Sequence, residues 1–302
     1  MFLLRLLLKN AFRHRLRTLL TMVGLVVAIA AFGLLRTIVD AWYAGVEGSS
    51  STRLITRSNI SLTFPLPLNY AQRIRAVEGV SGVSWANWFG GIYITERNFF
   101  AQFAVDAPTY LALYPEYRIT DAQRKAFLLD RQGAMVGRKL ADKFGWKLGD
   151  QVPLRGTIYP GTWTFTLRGI YRGADAGVDE NQMLMHWRYL TETARERTRG
   201  RVADVVGVYI LGIRDPANAA VIAQRVDAQF RNSLAETLTE TEKAFQLAFV
   251  AMSEAILVAL QAVSSIIVVI IMAVMANTMT MTARERLAEY ATLKALGFSP
   301  GF

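Results

Sequence analysis

The sequence contains no cysteine. A disulfide framework, thiolate chemistry and cysteine-ligated metal are therefore excluded. The compartment is not, because a cysteine-free chain suits an oxidising space as well as a reducing one. Histidine is almost as scarce: there are two, His14 and His186, far apart in the chain and expected on opposite sides of a membrane. A His–His metal site within one protomer is excluded, and a Ser-His-Asp triad is disfavoured. His186 has Asp179 and Glu180 nearby in sequence, but Met185-His186-Trp187 reads as a partly buried structural run. Nor is there a Gly-x-x-x-x-Gly-Lys-Ser/Thr loop, so this chain does not itself cradle nucleoside triphosphate phosphates. ATP dependence, if any, comes from another polypeptide. No catalytic, cofactor-binding or metal residue is assigned, and the chain is read as not an enzyme.

Two long runs without charge are what the sequence has instead. Thr18 to Leu35 covers 18 residues between Arg17 and Arg36, and Ala255 to Ala283 covers 29. The second is ample for a bilayer crossing of about 20 residues. Arg5, Lys9, Arg13, Arg15 and Arg17 precede the first run with no acid among them, and Arg284, Arg286 and Lys294 follow the second. The positive-inside rule then places both ends in the cytoplasm. The intervening segment lies on the far side, taken as a bacterial periplasm. Residues 41–243 hold 25 Lys and Arg against 20 Asp and Glu, so half of the net charge of +10 sits at the ends. The basic balance therefore speaks of topology and anionic lipid rather than nucleic acid. Ala28-Ile29-Ala30 resembles a signal-peptide cleavage site, but the long basic region before it favours an uncleaved anchor.

Finer patterns define segments. Arg5, Lys9, Arg13 and Arg17 recur every four residues, which on a helix makes a basic stripe opposite Leu3, Leu4, Leu7, Leu8 and Ala11. The stripe reads equally as an interfacial helix or as a topogenic charge cluster. In the first run Thr21, Gly24, Ala28 and Ala31 share a face of small residues on which another helix can pack closely. Ala235 to Glu254 has no Pro or Gly and runs into the second apolar stretch. A single helix over 235–283 would reach about 70 Å, a stalk between domain and membrane. Glu254, near its outer end, reads as snorkelling or wet.

The insert alternates between helix and strand patterns. Tyr70 to Glu78 reads as a helix ended by Gly79, with strands over Val80–Trp88, Gly91–Thr95 and Phe99–Val105 and a turn or short helix over Ala107–Tyr114. Val205–Ile213 is strand-like, Asp215-Pro216 opens a helix, and Thr162–Tyr171 alternates as a strand. The sharpest local pattern runs from Val136 to Val152. Leu140 and Phe144 make a buried helix face, Gly145 ends that helix in the left-handed region, and Gly149-Asp150 turns into a strand at Gln151. Arg195, Arg197, Arg199 and Arg201 read as a solvated basic loop. Together these patterns predict a small α+β domain in two parts, separated by an inserted subdomain.

The basic N-terminal helix, the first span, the Val-Gly-x-x-Leu-Ala…Gly-x-x-x-Gly-Asp element, the long second helix and the segment Arg-Glu-Arg-x-x-Glu-x-x-x-Leu-Lys-Ala-Leu-Gly at 284–297 together resemble the FtsX/MacB-like ABC transporter permeases. The resemblance implies an α+β membrane protein: two transmembrane helices, of a presumed four, flanking a periplasmic MacB-like core. The implied segments are an interfacial helix at 1–17, a first span at 18–39, a core domain at 40–234 with its subdomain at roughly 107–200, a stalk at 235–254, a second span at 255–283 and a cytoplasmic coupling segment at 284–302. The third and fourth spans are missing from this sequence, which is expected to be either a fragment ending just before them or a truncated gene product. Arg284, Glu285, Arg286, Glu289, Leu293, Lys294 and Gly297 would meet an ATP-binding subunit that carries the only cofactor, ATP. The implied partners are that subunit, a second copy or a paralogous permease, a periplasmic adaptor and membrane lipid. The implied activity is ATP-driven movement of the outer domain for export or extraction of a substrate. An FtsX-like activator of cell-wall enzymes shares this architecture, and a two-span sensor with a periplasmic ligand-binding domain shares the topology.

Overall fold

A computed structural model of the chain describes residues 19, 22–27, 29–35, 37, 49–175, 177–197, 204–252, 254–285 and 287–297. It divides into two compact units, Ala44–Phe249 and a second made of Met1–Tyr43 with Val250–Phe302. In chain order the helices are α1 (Met22–Leu35), α2 (Tyr70–Arg75), α3 (Ala107–Leu113), α4 (Asp121–Leu129), α5 (Arg138–Phe144), α6 (Trp187–Arg197), α7 (Ala219–Gln229), α8 (Glu242–Met252), α9 (Glu254–Glu285) and α10 (Leu287–Ala295). The strands are β1 (Arg53–Ser58), β2 (Leu66–Pro67), β3 (Val80–Trp88), β4 (Gly91–Ile92), β5 (Ala101–Val105), β6 (Tyr117–Arg118), β7 (Gly133–Gly137), β8 (Gln151–Gly156), β9 (Gly161–Gly173), β10 (Gln182–His186), β11 (Val205–Val206), β12 (Val208–Ile213) and β13 (Thr237–Thr241).

One sheet, in the order β13-β1-β12-β3-β5-β10-β7-β9-β8-β4, organises the first unit. The β10–β5 and β7–β9 pairs are parallel, and the other neighbours run antiparallel. Because strand side chains alternate between faces, neighbouring residues enter different cores. Leu54, Ala104, Val136, Met183 and Leu211 join one apolar cluster, with Ile74, Leu140, Trp187, Leu190 and Val226 contributed by α2, α5, α6 and α7. Ile55, Val105, Met135, Leu184 and Ile210 join the other, with Tyr110 and Leu111 from α3 and Phe127 from α4. A sheet covered on both faces needs continuous apolar runs in its strands, which explains Ala134-Met135-Val136 and Met183-Leu184-Met185.

Segment 107–200 supplies β7 to β10 to that same sheet, and its side chains share both cores with the flanking segments. The elements of the Val136–Val152 pattern fold as expected, with α5 burying Leu140, Gly145 at φ 69° and β8 starting at Gln151, but Phe144 is only half-buried. Three expectations are corrected. Helix does not begin at Ala235, because Thr237–Thr241 is strand β13 paired with β1 and α8 starts only at Glu242. The alternating threonines favour a half-buried pleated surface, and that preference outweighs the lack of Pro and Gly. The strand expected over Gly91–Thr95 stops at Ile92, since Ile94 takes φ 60° in a turn closed by the Thr95 amide on the Tyr93 carbonyl. Arg195 and Arg197 belong to helix α6 rather than a loop; Arg199 and Arg201 lie outside the described residues.

In the second unit, Val258–Glu285 of α9 is the one helix among the described residues long and apolar enough to cross a membrane. α1 is a shorter apolar helix. Large apolar side chains of both helices are exposed, among them Val26, Leu34, Ile266 and Val269.

Candidate coupling sites

The segment expected to meet another protein follows the apolar helix. Arg284 and Glu285 close α9, and α10 carries Glu289, Leu293 and Lys294. Gly297 ends α10 at φ 89°, with its amide on the Lys294 carbonyl and the Leu296 amide on the Thr292 carbonyl. Left-handed backbone at this place favours glycine, so the terminal Leu-Gly is a helix stop. Arg284, Lys294 and Leu296 are exposed. Arg286 lies outside the described residues. So do Arg5, Lys9, Arg13 and Arg17 of the basic stripe, and Thr21 and Ala28 of the small-residue face. Gly24 and Ala31 lie on α1, and a Cβ built on Gly24 meets nothing within 4 Å.

A second site, not visible in the sequence pattern, occupies the end of the domain where β1 begins and β13 ends. Arg53 opens β1 yet is only 6% exposed. Its Nε donates to Glu242 Oε2 at 2.9 Å, Nη2 to Glu116 Oε1 at 2.6 Å and Nη1 to the Leu113 carbonyl at 2.9 Å. The guanidinium also lies 4.0 Å from the centroid of the Tyr114 ring. Glu242, the first residue of α8 and 5% exposed, accepts two further bonds, from Tyr114 Oη and the Ser50 amide, both at 2.9 Å. Ser49 Oγ donates to Gln246 Oε1 at 2.8 Å. The segment entering the domain is thereby tied to the helix leaving it. A cavity of about 380 Å³, lined in part by Ser50, Arg53, Glu116 and Asp175, adjoins the network.

Electrostatics keep Arg53 charged. Burial by itself lowers the Arg53 pKa, but the Glu242 carboxylate, with Tyr114 and Glu116, outweighs it and holds the guanidinium above its ordinary value. Tyr114 starts a column of stacked rings: Tyr110 at 4.3 Å, Tyr117 at 5.3 Å, and Tyr171 of β9 at 4.6 Å from Tyr117. Burial first, then neighbouring charged and phenolic oxygens, pushes all four phenols well above the usual tyrosine range. They stay neutral donors. Gln182 of β10 donates to Tyr117 Oη at 2.8 Å, and Tyr171 Oη donates to the Asp179 carbonyl. The column thus links the chain-crossing end to the centre of the sheet.

His186 is 9% exposed, packs on the Phe127 ring and bonds the Phe127 carbonyl through Nε2 at 2.8 Å. A carbonyl only accepts, so Nε2 carries the proton. Burial lowers the His186 pKa, which fits a neutral packing histidine. Among the described residues no group of His, Asp and Glu is arranged to hold a metal ion.

An α+β domain inserted after one apolar helix and followed by another is the plan of a membrane permease with a large outer domain. Residues 18–229 match the MacB-like periplasmic core domain. The chain belongs to this family, that of the MacB/FtsX-like ABC transporter permeases, and is a membrane protein. Over 179 residues, 58% of the chain, it is 30% identical to an uncharacterised ABC transporter permease protein of Mycobacterium tuberculosis, and it spans 19% of that relative's length. Two solved structures are similar in part. The periplasmic region of MacB from Actinobacillus actinomycetemcomitans has 8% identity and a TM-score of 0.48, covering 68% of this chain and 95% of that one. The extracellular domain of the noncanonic ABC-type transporter YknZ from Gram-positive bacteria has 10% identity and a TM-score of 0.45, covering 63% and 100%.

Proposed function

We propose that this chain is the permease part of an ABC transporter in a bacterial plasma membrane, in which ATP hydrolysis by a separate ATP-binding subunit moves the outer domain and drives export or extraction of a substrate. The observation that carries the reading is the charged helix α10, capped by Gly297, which follows the long apolar helix α9 in a chain with the MacB-like core domain. The segment 284–297, which carries Arg284, Glu285, Arg286, Glu289 and Lys294 in sequence, is the part assigned to meet that partner at the cytoplasmic face and to receive its motion. A second permease copy or paralogue completes the membrane unit, and a periplasmic adaptor is a further expected partner. The test uses the full-length protein reconstituted in lipid with its ATP-binding subunit. Reversing charge at Arg286 and Glu289 should abolish stimulation of the ATPase while far-ultraviolet circular dichroism stays unchanged. Undiminished stimulation by the double variant would overturn the assignment.

A further inference from the structure

β1 begins at Arg53, β13 ends at Thr241, and the two strands are antiparallel with Leu54 opposite Thr241. The strand that brings the chain into the domain and the strand that takes it out therefore start and finish side by side. A displacement of the leaving helix relative to the entering segment acts on that end first and opens the ladder one rung at a time. β13 is an edge strand and, among the described residues, has β1 as its one neighbour, so peeling it away is the easiest way for this end of the sheet to yield. Arg53 and Glu242 sit one position beyond the Leu54–Thr241 rung, where opening would begin. Arg57 Nε to Glu240 Oε1, at 2.9 Å, is a further ion pair, between β1 and β13 themselves.

We propose that Arg53 is a positioning residue. With Glu242, Tyr114 and Glu116 it forms a latch that keeps β13 on β1 when the leaving helix is displaced, so that the displacement moves the whole sheet instead of peeling its edge. The inference rests on the permease reading above and adds to it the element that passes motion into the domain. Arg53 suits the role because its three bonds reach α8, the end of α3 and Glu116, and its ring contact begins the tyrosine column that ends on β9 and β10. Removing one partner of a buried ion pair leaves the other uncompensated, so the latch opens when Arg53 is lost.

The test begins with amide hydrogen exchange on the full-length protein in lipid nanodiscs, without any partner. Thr239 turns its amide outward to Asp227, so alternation directs the Leu238 and Glu240 amides to β1. Arg53→Met should speed exchange at those two amides about 100-fold and leave Met183–Met185 unchanged. Glu242→Gln, which keeps the shape and one of the two acceptor oxygens, should give a smaller increase and serves if Arg53→Met does not fold. Unaltered exchange at Leu238 and Glu240 overturns the latch. The second arm adds the ATP-binding subunit and a Thr56→Cys/Thr239→Cys pair, facing residues in a chain with no other cysteine. Arg53→Met should lower ATPase stimulation, Arg53→Lys should retain part of it, and oxidation of the cysteine pair with copper phenanthroline should restore it reversibly. A purely structural Arg53 would loosen Met183–Met185 as well and show no redox-dependent rescue. Oxidation that blocks stimulation in the otherwise unaltered protein, or full stimulation with β13 open, overturns the latch. If the unaltered protein does not stimulate the subunit at all, the permease reading fails, and the exchange arm alone decides whether the latch exists.

Discussion

Asp227 holds the edge strand from the side opposite β1. Its carboxylate accepts from Thr237 Oγ1 at 2.8 Å, Thr239 Oγ1 at 2.7 Å and the Thr239 amide at 3.0 Å. The last bond removes an outward-facing donor from the sheet edge, where another strand could otherwise pair. Asp227→Ala leaves three donors without their acceptor, and bonds to a charged group are the stronger kind. The expected loss is about 3 kcal/mol, read as a lower midpoint in urea, with Asp227→Asn losing less because it keeps one acceptor oxygen. Residues of this sort were hidden in the sequence. Arg53 finds Glu242 at 189 positions' separation and Glu116 at 63, and no local pattern reports a pairing at that range. A glycine whose work is local was legible: Gly145 takes the left-handed conformation at the end of α5.

At the scale of elements, reading was reliable where a periodic pattern stood between clear stop signals. β3 occupies Val80–Trp88 as its alternation predicts, and the β7–α5–β8 run follows Val136–Gln151. It failed at β13, where the absence of breakers was weighed above alternating β-branched residues, and pairing with β1 decided the outcome. The structure also explains the Val-Gly pair at the β7–α5 junction. A Cβ on Gly137 would collide with the Glu180 backbone carbonyl, which accepts from the Leu140 amide at 3.1 Å in the first turn of α5. The glycine is there for close approach of two backbones. Gly137→Ala must push the 179–181 segment away and break that bond, and overpacking against backbone costs about 2–3 kcal/mol. Thermal unfolding of the variant should show the loss. An unchanged midpoint would mean that segment moves aside freely.

For the whole molecule, the family was legible in a few motifs, while the sheet that joins the two halves was not. Two parallel pairings, β5 with β10 and β7 with β9, tie together segments far apart in sequence, and no turn signal announces such contacts. Orientation, by contrast, is expected to follow charge. Arg5, Lys9, Arg13, Arg15 and Arg17 before the first apolar run, and Arg284, Arg286 and Lys294 after the second, are flanking charges of the kind that set topology. The absence of cysteine makes the consequence measurable with single labels. Leu234 and Leu296 are both exposed, on the domain and beyond α10 respectively. Leu234→Cys should react with a membrane-impermeant maleimide on intact spheroplasts, and Leu296→Cys only after the membrane is disrupted. The opposite pattern would put the domain in the cytoplasm and remove α10 from any ATP-binding subunit. Labelling of both positions on intact spheroplasts would mean that α9 does not cross the bilayer.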